Sequence, residues 1–273
     1  MTDLKKRIES LDLVFLDLET TGLNFVEEDA ICEIGAYKVR ERQTIDEFHS
    51  LVNPRKKVPQ QAYNIHKISD AELAQAPYFE QVMDSLVSFL NGSVVCAYNV
   101  QFDMGFINYE VKKLGGVELD LFAVDVLTMA RRTLKLGKYN LGSIIQFFGI
   151  VVEDEFHRAL SDAYAVREVF FRLSDILKEK EVVSMGDFLS LYGFENEVFR
   201  KQENQKMSVI QEAQESKKKL KIRYLDDEMR MREAYLNSVN LRQDKNIYYL
   251  WCHAVEGKSQ RIRLRDILEI ELA

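Results

Sequence analysis

Two carboxylates stand two residues apart in an otherwise apolar run, Val14-Phe15-Leu16-Asp17-Leu18-Glu19-Thr20-Thr21-Gly22. Residues 13–18 have the composition of a buried strand. Alternate side chains of a strand share a side, so Asp17 and Glu19 point the same way. Burying ionised acids costs roughly several kcal/mol each unless a compensating charge is present. No basic residue lies between Arg7 and Lys38, so the nearest compensation is a bound cation. Three further residues can complete such a site. Asp103 follows a buried strand in Asn99-Val100-Gln101-Phe102-Asp103 and falls near a helix start. In His157-Arg158-Ala159-Leu160-Ser161-Asp162, Asp162 lies about one turn inside a helix and His157 in the loop before it. Singly these are ordinary: an Asp near a helix N-terminus is usually a cap. Together, acids offer the oxygen ligands of a hard cation, and an imidazole can move a proton near neutral pH.

The elements that must position these groups are legible in order. Residues 13–19, 30–40 and 45–52 read as strands, the last two joined over 41–44, which favours an antiparallel meander. Residues 55–68 read as a loop, and Ser69-Asp70-Ala71-Glu72 as a capped helix start. Residues 79–90 place Phe79, Val82, Met83, Leu86, Phe89 and Leu90 on one helical face. A buried strand from Ser93 to Tyr98 leads into a helix from about Phe102 to Leu114. A short strand over 121–126 leads into a helix from Leu127 to Leu134. The next helix starts at Asn140 or Leu141 and stops at Phe148-Gly149-Ile150, and the last spans about 159–178. Antiparallel strands followed by βαβ units predict an α/β fold with a mixed sheet.

The motifs in combination resemble the DEDD exonuclease superfamily, in its DnaQ-like (DEDDh) branch that includes proteins similar to the DNA polymerase III epsilon subunit. The first motif is Asp17-Leu18-Glu19-Thr20-Thr21-Gly22, the second Asn99 to Asp103, and the third His157, Ala159 and Asp162. The resemblance covers about residues 10–178. It implies a ribonuclease H-like mixed five-stranded sheet flanked by helices, and a 3′→5′ exonuclease that releases nucleoside 5′-monophosphates. It further implies two Mg²⁺, replaceable by Mn²⁺ and about 3.5–4 Å apart, serving the attacking and leaving oxygens of an in-line displacement. By resemblance Asp17 would serve both ions, Glu19 and Asp162 one, and Asp103 the other. His157 would be the general base; a histidine, with a reference pKa near 6.5, suits that task at about neutral pH. Candidate contacts to the terminal nucleotide are Thr20, Thr21, Leu23, Asn99 and Phe102. His66, in Tyr63-Asn64-Ile65-His66-Lys67-Ile68, is either a base-pocket contact or a surface histidine. Arg131, Arg132, Lys135 and Lys138 either track phosphates or form a solvated helix face.

Composition limits the rest. The chain of 273 residues carries a net charge of −7, which argues against a protein that coats nucleic acid by bulk charge. The charge is uneven: residues 206–273 hold 14 Lys and Arg against 11 Asp and Glu, and the acidic excess lies before them. That suggests two modules; with the resemblance and the change of pattern after residue 180, the expectation is an exonuclease-like domain over 1–180, a helical connector over 181–218, and a small β-barrel over 219–273. The last part reads as strands 220–225, 234–242, 247–255 and 259–267, the spacing of an SH3/Sm-like barrel. It resembles a WYL domain through Ile222-Arg223-Tyr224, Tyr248-Tyr249-Leu250 and Arg261-Ile262-Arg263-Leu264-Arg265-Asp266-Ile267, with Tyr-Tyr-Leu in place of Trp-Tyr-Leu. That resemblance implies a nucleic-acid or small ligand, with Arg261, Arg263 and Arg265 on one strand face and Tyr249 as a stacking surface. Cys32, Cys96 and Cys252 read as buried reduced thiols. No run approaches the roughly 18–20 apolar residues of a membrane span, and residues 1–10 lack the apolar core of a signal peptide. The expectation is a cytoplasmic enzyme acting on the 3′ end of nucleic acid, single-stranded DNA foremost. Its role would be stand-alone repair or processing rather than that of a polymerase proofreading subunit, within DNA repair or replication; polymerase association is allowed but not indicated. A 3′ exoribonuclease and a non-catalytic nucleic-acid-binding regulator are the alternatives.

Overall fold

Strand β1 (Leu13–Thr20) lies at the centre of a five-stranded mixed sheet in the computed structural model, which describes residues 4–152, 157–194, 197–245, 247–254 and 259–273. It is followed by β2 (Ile31–Arg40), β3 (Gln43–Leu51), α1 (Gln60–His66), α2 (Asp70–Leu73) and α3 (Phe79–Leu90). Then come β4 (Val94–Ala97), α4 (Val100–Lys113), β5 (Phe122–Asp125), α5 (Val126–Thr133), α6 (Leu141–Phe148) and α7 (Ala159–Lys178). The sheet order is β3-β2-β1-β4-β5; β1 is antiparallel to β2 and parallel to β4. A strand covered on both faces reads as a continuous apolar run, and Leu13, Val14, Phe15, Leu16 and Leu18 are all buried. Phe15 packs edge-on to Phe170 of α7, with ring centroids 5.3 Å apart.

The decisive irregularity is at the carboxyl end of β1. Pairing with β4 stops at Phe15↔Cys96, because β4 turns into α4 through Asn99. Asn99 has φ 74°, a left-handed conformation that asparagine tolerates better than most residues. The N–H of Leu18, left without a strand partner on that edge, is instead accepted by the carboxylate of Asp103 in the first turn of α4. An in-strand acid and a helix-start acid are thereby brought together.

Most elements follow the periodicity, including α3, α7 and the Ser69–Glu72 capping box. Residues 55–68 depart from it, since they contain α1 rather than only loop. That helix has seven residues, of which only Ala62 and His66 are buried, too few to show an apolar period. The β2–β3 link is also tighter than expected, with both Glu41 and Arg42 at positive φ. Arg42 is held there by Glu9 at 2.7 Å and by Asp175.

Two compact units divide the described residues, one over Arg7–Asp175 and the other combining residues 4–6 with Ile176–Ala273. The second unit contains α8 (Met185–Tyr192) and α9 (Glu197–Ser216), then β6 (Leu220–Leu225), β7 (Met231–Asp244), β8 (Ile247–Ala254), β9 (Ser259–Arg263) and β10 (Ile267–Leu272). Its strands form an antiparallel sheet in the order β10-β6-β7-β8-β9. Ile210 and Ala213 of α9 pack with Leu220, Ile222, Leu236, Leu250, Ile262 and Leu264 in its core. The single strand expected over 259–267 is two, separated by a 3-10 turn at Leu264–Asp266. That turn breaks the period of two, so Arg265 does not share a face with Arg261 and Arg263. It lies over the Phe199 ring at 5.2 Å and donates to the Gly193 carbonyl. All three cysteines are buried and free. Among the described residues no helix is long and apolar enough to cross a membrane.

Candidate active site

Asp17, Glu19 and Asp162 each offer a carboxylate oxygen within 4.8 Å of the others. Strand β1 supplies the first two, on one side of the pleat, and the first turn of α7 the third. Asp103 adjoins this group and ranks, after burial, as the strongest influence raising the Asp17 pKa. His157 is exposed, has φ 67°, and donates its backbone N–H to the Asp162 carboxylate. The five residues read from the motifs therefore converge on the carboxyl end of one strand.

The approach of α7 depends on β2, which pairs Gly35 with Asp17 and Glu33 with Glu19. A Cβ on Gly35 would lie 2.2 Å from the Leu160 amide nitrogen, so only glycine lets the helix start lie against this strand. Glu33 receives that helix: it accepts from the Ala159 N–H at 3.0 Å and from Arg158 Nη2 at 2.7 Å. Neither Glu33 nor Arg158 was selected from the sequence. The available signal was the one that exposed Asp17, an acid in a strand otherwise apolar on both faces.

The electrostatics fit a cation. Burial first, then Asp103, Asp162, Glu19 and Glu33, raise Asp17 well above the usual carboxylate range. Burial, Asp162 and Glu33 push Glu19 up to about 8, against a lowering influence from Arg158. Burial also raises Asp103 and Asp162; His157 partly offsets the shift of Asp162. Oxygen-only donors that repel one another when ionised suit a hard divalent ion. Because these acids hold protons more tightly folded than unfolded, their contribution to stability is complete below their unfolded pKa values, about 3.8 for the aspartates and about 4.5 for Glu19, and is lost as pH rises. For Glu19 the loss runs through about pH 8. We expect the melting temperature in EDTA to fall between pH 5.5 and 8.5, and a saturating divalent cation to flatten that fall. Scanning calorimetry at matched pH checks this; parallel curves with and without the cation would contradict it.

The other expected contacts are placed unevenly. The Thr20 hydroxyl donates to the Gly22 carbonyl at 2.5 Å, and the Thr21 hydroxyl donates to Asp29 while accepting from the Ala30 N–H. Both threonine side chains thus hold the loop after β1. Leu23, on that loop, is 84% exposed. Phe102 is half-buried against Phe106 at 4.9 Å, and the Asn99 N–H donates to Asp125. His66 is not a surface histidine: it is 2% exposed, and Nδ1 accepts from the Ile68 N–H. Its Nε2 has no hydrogen-bond partner among the described residues. Arg131, Lys135 and Lys138 are exposed.

Known proteins resemble the chain over its first part. The profile of a family described as "Exonuclease" matches residues 14–170. DNA polymerase III PolC-type of Thermotoga petrophila is 32% identical over 183 residues, 67% of this chain but only 13% of that protein's length. DNA polymerase III subunit epsilon of Rickettsia felis is 35% identical over 173 residues, 61% of this chain and 76% of that protein. Among solved structures, the nuclease domain of 3′hExo, a DEDDh family member bound to rAMP, aligns with a TM-score of 0.55 at 13% identity. It covers 64% of this chain and 95% of the other. Exonuclease X in complex with 5′ overhanging duplex DNA aligns at 0.50 and 24% identity, covering 60% and 91%. These two likenesses concern the fold.

Proposed function

Because the chain belongs to the exonuclease family, we propose that it is a divalent-metal-dependent 3′→5′ exonuclease that releases nucleoside 5′-monophosphates from single-stranded DNA ends. The observation that carries this reading is the convergence of Asp17, Glu19 and Asp162 within 4.8 Å, with Asp103 and His157 beside them. Asp17, Glu19 and Asp162 would hold one ion, and Asp17 with Asp103 a second. Mg²⁺, or Mn²⁺ in its place, supplies Lewis-acid stabilisation of charge on the phosphoryl oxygens when bound. His157, exposed beside the cluster, takes the proton of the attacking water. The contact from its backbone to Asp162 ties the base to the acid cluster. Leu23 offers an apolar contact to the terminal base, and the free Nε2 of His66 a buried donor.

DNA is preferred over RNA because the two relatives described above, 32% and 35% identical, are DNA polymerase III proteins by name. The polymerase activity in the PolC-type relative's name does not come with the match, which spans 13% of that protein's length. Matched DNA and RNA oligonucleotides, labelled at the 3′ end, test the reading. Faster Mg²⁺-dependent release of mononucleotides from single-stranded DNA is expected. Faster release from RNA would move the assignment to an exoribonuclease, and binding without release to a regulator.

For the second unit the same reading includes an SH3/Sm-like, WYL-like barrel that takes a nucleic-acid ligand. Its support is the three-residue turn joining β9 and β10, which stand at opposite edges of the strand order. Strands are about 4.8 Å apart, so a flat sheet would separate those edges by more than such a link spans. The ligand face would be the outer side of β7–β8–β9. There Arg242, Tyr249 and Arg263 form one cross-strand row, and Asn240, Trp251 and Arg261 the next. Arg261 lies 4.4 Å over Tyr249 and Arg242 5.6 Å over Trp251, an arrangement in which a base can exchange with a guanidinium on an aromatic face.

A further inference from the structure

Glu33 is the most fully engaged side chain near the acid cluster, and nothing in the mechanism above uses it. It is 1% exposed, on β2, opposite Glu19. Its Oε1 accepts from Arg158 Nη2 at 2.7 Å, from Arg158 Nε at 3.2 Å and from His49 Nε2 at 2.8 Å. Its Oε2 accepts from the Ala159 N–H at 3.0 Å and from Arg158 Nε at 3.1 Å. Both oxygens are thus occupied by protein donors, which distinguishes Glu33 from Asp17, Glu19 and Asp162, whose oxygens face one another.

Electrostatically Glu33 is unwelcome there. Its charge adds to the repulsion that raises Asp17, Glu19 and Asp162. Its surroundings nonetheless favour the charged form. Burial pushes its pKa up, but the hydrogen bonds from Arg158, His49 and Ala159 together outweigh that and lower it. A carboxylate in its charged form beside three other acids needs a geometric reason, and the helix start provides one. Ala159 is the first residue of the 20-residue α7, so its amide is one of the N–H groups that the helix itself cannot satisfy. The negative charge also faces the positive end of the helix dipole. Gly35, the alternate residue on β2, contributes no side chain to grip the helix where it lies closest.

We infer that Glu33 is the positioning residue of this site: with Arg158, it clamps the first turn of α7 to β2 and so sets His157 and Asp162 against Asp17 and Glu19. This rests on the nuclease reading for its effect on turnover, but not for its effect on metal binding. The clamp sits one residue from His157 and three from Asp162. A shift of about 1 Å at such a distance can cost about 100-fold in rate.

The test uses the 273-residue chain with Glu33→Gln, Glu33→Asp and Glu33→Ala. Glu33→Gln keeps the shape but replaces one acceptor by a donor facing Arg158 or the Ala159 N–H. Expected for the folded Gln variant is a fall in kcat of about 10- to 100-fold, with KM for a single-stranded oligonucleotide within about twofold. Without substrate, Mn²⁺ binding followed by electron paramagnetic resonance should weaken by about tenfold or more. Glu33→Asp should recover part of both, and Glu33→Ala neither. Wild-type Mn²⁺ affinity in a folded Gln variant would overturn the assignment. So would a loss of kcat that vanishes on cooling below the variant's own unfolding transition. Absence of nuclease activity in the wild type would instead overturn the functional reading, while the Mn²⁺ comparison would still decide the role of Glu33.

Discussion

Asp17→Asn is expected to lower kcat by about 1,000-fold or more while raising the melting temperature of the metal-free protein. The two effects have one cause. Asp17 is surrounded by Asp103, Asp162, Glu19 and Glu33 at the buried end of β1, and every one of them, with burial itself, disfavours its ionised form. An amide of the same size keeps the packing and removes the repulsion, so the folded state without cations gains stability. The same amide cannot supply the anionic oxygen shared between the Glu19–Asp162 side and the Asp103 side. Losing about 4 kcal/mol of transition-state stabilisation, within the range for a metal acting as a Lewis acid, corresponds to about 1,000-fold in rate. Single-turnover release from a 3′-labelled oligonucleotide measures the first effect, and calorimetry in EDTA the second. Turnover near the wild-type rate would remove Asp17 from the site. A large fall in melting temperature would show that its carboxylate has a structural role not captured above.

His157→Asn should cost about 100- to 10,000-fold in kcat, the usual range for loss of a general base. Asparagine is the appropriate replacement because His157 has φ 67°, and asparagine adopts that left-handed region readily. The backbone N–H that Asp162 accepts is therefore kept, and the substitution removes only the imidazole. Cation binding should be unchanged, in contrast to Asp17→Asn, since the imidazole is not among the oxygen donors. The side chain is exposed, so added imidazole can reach the gap and should restore part of the rate. Loss of activity accompanied by an equal loss of Mn²⁺ affinity would make His157 a ligand or a support for Asp162 rather than the base.

Local periodicity was sufficient for much of this site. Asp17 and Glu19 share a side because strands alternate, whatever the strand packs against. Asp162 falls in the first turn of α7, whose apolar face is clear, and Asp103 in that of α4, which begins at Val100 rather than at about Phe102. By contrast, α1 has no legible signal, because seven residues with two buried positions have no measurable period. Arg265 was misplaced because the turn at Leu264–Asp266 interrupts an alternation that the residues themselves continue. The roles of Thr20 and Thr21 could not be read either, since their hydroxyls are committed to Gly22, Asp29 and Ala30 by the path of the loop.

The residue types, their spacing and their order along the chain determined by themselves that four carboxylates and a histidine would be available, and on which elements. Only the tertiary structure decided how the groups are held. The Glu33–Arg158 contact joins residues 125 positions apart, and the Gly35 passage exists only because α7 crosses β2 there. Periods of 2 and 3.6 residues are set by the geometry of a few neighbouring peptides and can be read from a short window. A clamp between a strand and the start of a distant helix depends on the packing of both against the whole sheet, and no local pattern encodes it.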